Sequence, residues 1–301
     1  MNRFVFKSRH CEAFSAEAIS PKRKIATLSL AMTFAILLFA TSCKKPSDSL
    51  VFKDLNYGSN PRNKIDIHLP QQRDTATAMV LLIHGGGWVA GDKGDWSQEI
   101  INEFLNSGYA VSSMNYRYAN GDFHNQINDI QQAIDFMRTK SSSWKISSTK
   151  FALIGASAGG HLALLYAHAY DSLDVVKTVI PIVGPTDMTD PVFHQYATNY
   201  GIFYVFEALL GSTMPNNPQV YEDASPIFNY SNVPTFFICG GLDDLVPPQQ
   251  SIRMFDTLTV HSIIADTTVF NNAGHDVFGP NQVNKQQIYD EVKGWLNTYL
   301  N

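Results

Sequence analysis

The chain of 301 residues carries 22 Lys and Arg against 27 Asp and Glu, a net charge of −5, with 45% hydrophobic and 16% charged residues. Such a chain can bury a sizeable core, which excludes a disordered protein. Setting aside residues 1–42 leaves 16 basic and 25 acidic residues, a net charge of −9, which excludes nucleic acid as a partner.

The N-terminus differs from the rest. After "SPKRK" comes "IATLSLAMTFAILLFATSC", a basic patch followed by an uncharged apolar run and small residues ending at Cys43. That is the layout of an export signal, and Ala40, Thr41 and Ser42 before a cysteine resemble a bacterial lipobox, in which the cysteine is acylated. The expectation is a leader over residues 1–43, lipidation at Cys43, a polar tether over 44–50 and a folded domain over 51–301, giving an exported protein anchored to the membrane by lipid. Residues 25–42 are also close to the length of one bilayer span, so a transmembrane anchor stands as the alternative. Residues 1–20 have no assigned role.

From residue 50 onward, apolar strands alternate with amphipathic helices, the α/β pattern. "KIDIHLP" alternates as a half-buried strand does. "AMVLLIH", "GYAVSSMNY", "KFALIG", "VVKTVIPIV", "PTFFICG" and "ADTTVF" follow, several of them continuous apolar runs suited to a sheet covered on both faces. Helical periodicity marks "WSQEIINEFLNS", "NQINDIQQAIDFMRT", "AGGHLALLYAHAY", "PQQSIRMFDTL" and "QQIYDEVKGWLNTYL". The prediction is one domain with about eight strands, mostly parallel, and helices on both faces.

The first motif, "LLIHGGGWVAGDK", follows a buried strand with three glycines. The second, "KFALIGASAGGHLAL", sets Gly155, Ser157 and Gly159 in G-x-S-x-G spacing between a strand and a helix. A serine on so sharp a turn is held exposed only where small residues let strand and helix approach, and the helix N-terminus adds partial positive charge beside it. A serine nucleophile needs a histidine base oriented by a carboxylate. "CGGLDDLVP" supplies Asp243 with Asp244 beside it, and "FNNAGHDVFG" supplies His275, each on a loop after a strand. The expected triad is Ser157, Asp243 and His275, with Asp244 at the surface or capping a helix. A tetrahedral oxyanion would then be held by the amides of Gly86, Gly87 and Ala158.

Other candidates read as structural. His84 fixes its loop, Trp88 either packs under that loop or lines the substrate pocket, and His161 and His168 support the helix after the serine. The aromatic-rich insert over 184–226 is either a cap shaping the pocket or a segment packed on the rim, with Asp187 and His194 as cap and surface residues. Cys11 and Cys43 lie in the leader, so only Cys239 belongs to the folded part, as a small buried residue. No metal-ligand spacing occurs, and neither metal nor cofactor is expected.

Together, "IHGGGWVAGDK", "NYRYA" with "FHNQINDIQQAIDFMR", "GASAGGHLAL", "GPTD" and "ASPI" leading to "CGGLDDLVPPQQS" resemble the α/β-hydrolase esterases of the hormone-sensitive-lipase type, most closely the bacterial carboxylesterases with HGGGW loops of BD-FAE-like kind. The resemblance covers roughly residues 60–300. It departs from that family at Cys239 and Gly240, where "HG" commonly precedes the acid, and at Ala156, where many lipase-type members carry Asp. It implies a serine carboxylesterase acting on small or polysaccharide-linked esters without a cofactor. The alternatives are amidase, formamidase or peptidase chemistry on the same fold, and a non-catalytic binding protein.

Overall fold

The computed structural model describes residues 50–279 and 282–300. The leader, the proposed lipidation site Cys43 and nearly all of the tether fall outside the described residues. Eight strands form one sheet: β1 (Leu50–Asn56), β2 (Lys64–Leu69), β3 (Met79–Ile83), β4 (Ala110–Met114), β5 (Phe151–Ala156), β6 (Val176–Ile182), β7 (Thr235–Gly240) and β8 (Ala265–Phe270). Their order is β1-β2-β4-β3-β5-β6-β7-β8. Only the β1–β2 and β2–β4 pairs are antiparallel. All five residues of β3 are buried, because helices cover both faces of the sheet. Along it, Met79, Leu81 and Ile83 enter one core with α2 (His124–Trp144) and α3 (Ala158–Leu165), while Val80 and Leu82 enter the other with α1 (Gln98–Asn106) and α8 (Gln282–Tyr299). That split is the two-residue alternation of a strand.

The differences from expectation have physical causes. β1 starts at Leu50, inside the expected tether, and is an edge strand with mostly exposed residues. Its register shifts between Phe52 and Leu55, around Asp54 at φ 55, so it shows no clean apolar alternation. α2 runs on to Trp144 through "KSSS", where burial of Trp144 outweighs the weak helix preference of serine. The segment after the serine is α3 followed by one wider π turn over Tyr166–Tyr170. The insert folds as α4 (Pro191–Asn199), α5 (Tyr204–Leu210) and α6 (Pro218–Asp223). No helix among the described residues is long and apolar enough to cross a membrane.

The topology gathers the candidate loops. The strand order reverses between β3 and β5, and ligands of open α/β sheets bind at the carboxyl ends of strands at such a point. Ile83 pairs with Gly155, so the glycine loop and the serine turn leave the sheet side by side. Gly240 pairs with Phe270, and Leu242 N–H donates to the Ala273 carbonyl at 2.9 Å. The loops bearing Asp243 and His275 are thereby joined at their roots. α7 (Gln249–Val260) follows the first of these loops.

Candidate active site

Ser157 sits between β5 and α3 at φ 52, ψ −121, a conformation costly for a residue with a side chain. Its N–H donates to the Ile182 carbonyl of the neighbouring strand at 2.8 Å, which holds the turn against that cost. Gly159 explains the motif's sterics. A Cβ there would press into the carbonyl oxygens of Ile83 and His84, so the helix can lie this close to β3 only with glycine at this position.

The three dispersed residues meet. His275 Nε2 stands 3.0 Å from Ser157 Oγ, and His275 Nδ1 stands 2.8 Å from Asp243 Oδ2. The Asp243 side chain is fully buried and that of His275 is 27% exposed. The other carboxylate oxygen, Asp243 Oδ1, accepts the backbone N–H groups of Leu245 and Val246 at 3.0 and 2.9 Å. These two donors fix the carboxylate, and sequence spacing gives no signal for them. Asp244 turns away: it is exposed, and its hydrogen bond to Tyr200 of the insert raises the Tyr200 pKa. The expected helix-capping role fails, since the residue at the start of α7 is Pro248 and no side chain caps it.

The glycine loop closes on itself. The Gly86 carbonyl accepts from Val89 and Ala90 N–H at 3.2 and 2.9 Å. With Gly86 at φ 108 and Gly87 at φ 55, the backbone enters regions that glycine adopts at little cost. Neither Gly86 nor Gly87 N–H takes part in a hydrogen bond among the described residues. Ala158 opens α3, so its N–H belongs to the helix's free amino-terminal donors. His84 serves the loop as expected: its Nδ1–H donates to the Gly85 carbonyl at 2.7 Å, its ring stacks on Tyr116 at 4.2 Å, and burial lowers its pKa.

Support for this loop comes from residues whose sequence positions do not announce it. The Tyr116 hydroxyl donates to the carbonyls of His84 and Gly85 at 3.1 and 3.2 Å, and Arg62 Nη2 donates to Gly91 at 3.0 Å. Arg117 of "NYRYA" pairs at 2.8 Å with buried Asp129 of α2, which joins the two motifs. Trp88 packs under the loop: it is 2% exposed, and its Nε1–H donates to His161 Nδ1 at 3.2 Å. His161 Nε2–H donates to the Ala224 carbonyl at 2.7 Å, and burial holds its pKa down at about 4. His168, also pulled down to about 4 by burial, bonds Thr235 Oγ1 and accepts from Ser231 N–H. Cys239 is buried and its thiol is raised to about 11, first by burial.

The insert both packs on the core and borders the site. Val205 lies 3.6 Å from where a Gly87 Cβ would stand. Asp187 and His194 take no part in the triad; His194 is half-buried within the insert, but Asp187 is not the surface group expected. Asp187 is 6% exposed and, with Asp190, pairs with Arg253 of α7 at 3.1 and 2.7 Å. His194 donates from Nε2 to the Met188 carbonyl at 2.7 Å.

The sheet order, the strained serine turn and its histidine and carboxylate define an α/β-hydrolase fold of the hormone-sensitive-lipase-like esterase type. The BD-FAE family model matches residues 65–258, and the chain belongs to that family. The probable isoprenylcysteine alpha-carbonyl methylesterase ICMEL1 of Oryza sativa subsp. japonica is 25% identical over 264 residues, covering 81% of this chain and 62% of that protein. The probable carboxylic ester hydrolase LipM of Mycobacterium tuberculosis is 30% identical, covering 68% of this chain and 51% of its own length. The chain thus spans about half to three fifths of these curated relatives. Among solved structures, the truncated form of a carbohydrate esterase from gut microbiota superposes with a TM-score of 0.69 at 22% identity, covering 84% of this chain and 97% of that one.

Proposed function

We propose that the protein is a serine carboxylesterase that works through an acyl-enzyme. The observation that carries this reading is the unbroken contact from Ser157 Oγ through the His275 ring to Asp243, at 3.0 and 2.8 Å. His275 Nε2 takes the hydroxyl proton as Ser157 attacks the ester carbonyl, and Asp243 holds the Nδ1–H tautomer and offsets the imidazolium charge. The developing oxyanion is met by the amides of Gly86, Gly87 and Ala158, and one such donor contributes about 3 to 4 kcal/mol to the transition state. His275 then gives the proton to the departing alcohol oxygen, and water resolves the acyl-enzyme by the same steps. A fluorophosphonate should label the protein, and Ser157→Ala should lose both labelling and ester turnover while remaining folded. Labelling that persists in Ser157→Ala would remove Ser157 from the mechanism.

The carbohydrate esterase that shares the fold supports esters carried on carbohydrate as the substrate class. The leader pattern ending at Cys43 supports export and lipid anchoring at the cell envelope. Cys43→Ser should release the protein from membranes or block its maturation, and unchanged membrane fractionation with no incorporation of palmitate into the wild type would refute the anchor.

A further inference from the structure

The glycine loop is strained over three consecutive residues. Gly86 and Gly87 are followed by Trp88, also at positive φ, 62, a conformation that costs a residue with a side chain and persists only where the surroundings enforce it. The amino end of the loop leaves β3 and is held by the sheet. The other end, the arm over 90–93, lies in no strand, yet it backs the proposed oxyanion donors directly. A Cβ on Gly86 would strike the Ala90 carbonyl, and one on Gly91 would strike the Gly85 carbonyl and the His84 ring. A shift of this arm therefore moves Gly86 and Gly87 with it.

Local contacts clamp the arm. The Gly91 carbonyl accepts from Arg62 Nη2 and from the Tyr118 hydroxyl, both at 3.0 Å. Asn115 Nδ2 donates to Asp92 Oδ2 at 2.7 Å, and its Oδ1 accepts Lys93 N–H at 2.5 Å. From the end of the arm the Lys93 side chain, only 10% exposed, reaches into the edge of the sheet. There Nζ pairs with Asp66 Oδ1 of β2 at 3.0 Å and with Asp54 Oδ1 of β1 at 2.9 Å. The sheet edge is shaped to meet it: the register shift of β1 puts Asp54 at φ 55, where its N–H donates to the same Asp66 oxygen at 2.8 Å. Lys53, half-exposed, holds the other Asp66 oxygen at 2.9 Å from the solvent side.

Lysine is rarely buried. Taking an ion pair out of water adds little net stability, and the best-attested use of such pairs is to fix one packing register among several. Here the register concerns the one end of the glycine loop that the sheet does not hold. We propose that Lys93, through its buried pair with Asp66, is a positioning residue for the oxyanion amides of Gly86 and Gly87. The inference rests on the serine esterase reading of Ser157.

The test uses p-nitrophenyl acetate as substrate and trifluoroacetophenone as inhibitor. Ser157 Oγ adds to the ketone carbon while its proton passes to His275 Nε2 and the carbonyl π electrons move to oxygen. The adduct thus carries the oxyanion of the ester reaction, and its Ki reports on the amide donors. Lys93→Met keeps the reach of the side chain and removes its charge. It should lower kcat/KM by about tenfold to a hundredfold, the scale of a misplaced or weakened donor, through kcat rather than KM, and raise Ki by the same factor. Lys53→Met disturbs the same cluster from its solvent side without touching the loop, and should leave both constants close to wild type. Unchanged kcat/KM and Ki in folded Lys93→Met overturn the positioning role. An equal loss in Lys53→Met also overturns it, by tracing the effect to the sheet edge as a whole. Should Lys93→Met not fold, the double variant Lys93→Met/Asp66→Asn, which removes both charges, is read in its place. Failure of both to fold makes the cluster a requirement of the fold and overturns the positioning role. A folded wild type that turns over no ester and resists the ketone overturns the esterase reading itself, and this inference with it.

Discussion

The serine turn with its glycine loop and the insert over 184–226 flank the same site, yet they are held by different forces. Around the turn, backbone lies against backbone, and Gly159 has no room for a side chain. The insert is held by side chains: Phe193, Phe203 and Phe206 meet edge to face at 5.0 and 5.3 Å, and Arg253 binds Asp187 and Asp190. Its Tyr200 and Tyr204 stay 51% and 59% exposed. Main-chain sterics place reacting atoms narrowly, while an aromatic cluster tolerates repacking. The proposed chemistry therefore rests on the first region, and the second borders it through packed side chains.

Adjacent aspartates give the sharpest way to break this contrast. Asp243 faces His275, whereas Asp244 faces Tyr200 of the insert. Asp243→Asn preserves shape but favours the wrong histidine tautomer, so kcat should fall on the order of 10⁴-fold, the size seen for the equivalent change in a serine protease. Asp244→Asn should leave turnover within a small factor of wild type. Steady-state kinetics on one ester decide it, and the reverse pattern would move the acid by one residue.

The next effect sits where the two regions touch. Trp88 under the glycine loop, His161 on α3 and the Ala224 carbonyl form one hydrogen-bonded chain. His161 and His168 titrate at about 4 when folded, against an ordinary 6.5. The unfolded chain therefore binds protons that the folded one refuses. Stability is fully present above about pH 6.5 and is lost as the pH falls towards 4, by an amount on the order of a few kcal/mol. Denaturant unfolding at pH 7 and pH 4.5 measures the loss, and His161→Gln should shrink it; an identical loss in that variant would mean His161 is not one of the groups responsible.

The smallest effect is expected at the outer contact of the insert. Tyr200→Phe removes the hydroxyl that meets Asp244, and exposed charge-linked contacts contribute little. The midpoint of thermal unfolding should stay close to wild type, with any change confined to KM for bulky esters. A large drop in kcat would show that the insert helps to place the Asp243 carboxylate.

Much of this was legible in sequence because the requirements are local. The apolar run of β3, the glycine spacing around Ser157 and the loops bearing Asp243 and His275 each follow from short-range sterics or periodicity, and the structure places all three side chains within hydrogen-bond reach. β1 was not legible, since an edge strand facing water needs no alternation. Asp187 read as a surface residue because the charge that draws it inward, Arg253, lies on a distant helix. The choice of Ser157, Asp243 and His275 thus followed from the chain's local patterns. The Leu245 and Val246 amides on Asp243, the Tyr116 and Arg62 props of the glycine loop and the Trp88–His161–Ala224 link were decided only by tertiary structure, because each partner is chosen by proximity in the packed fold and leaves no periodicity in the sequence.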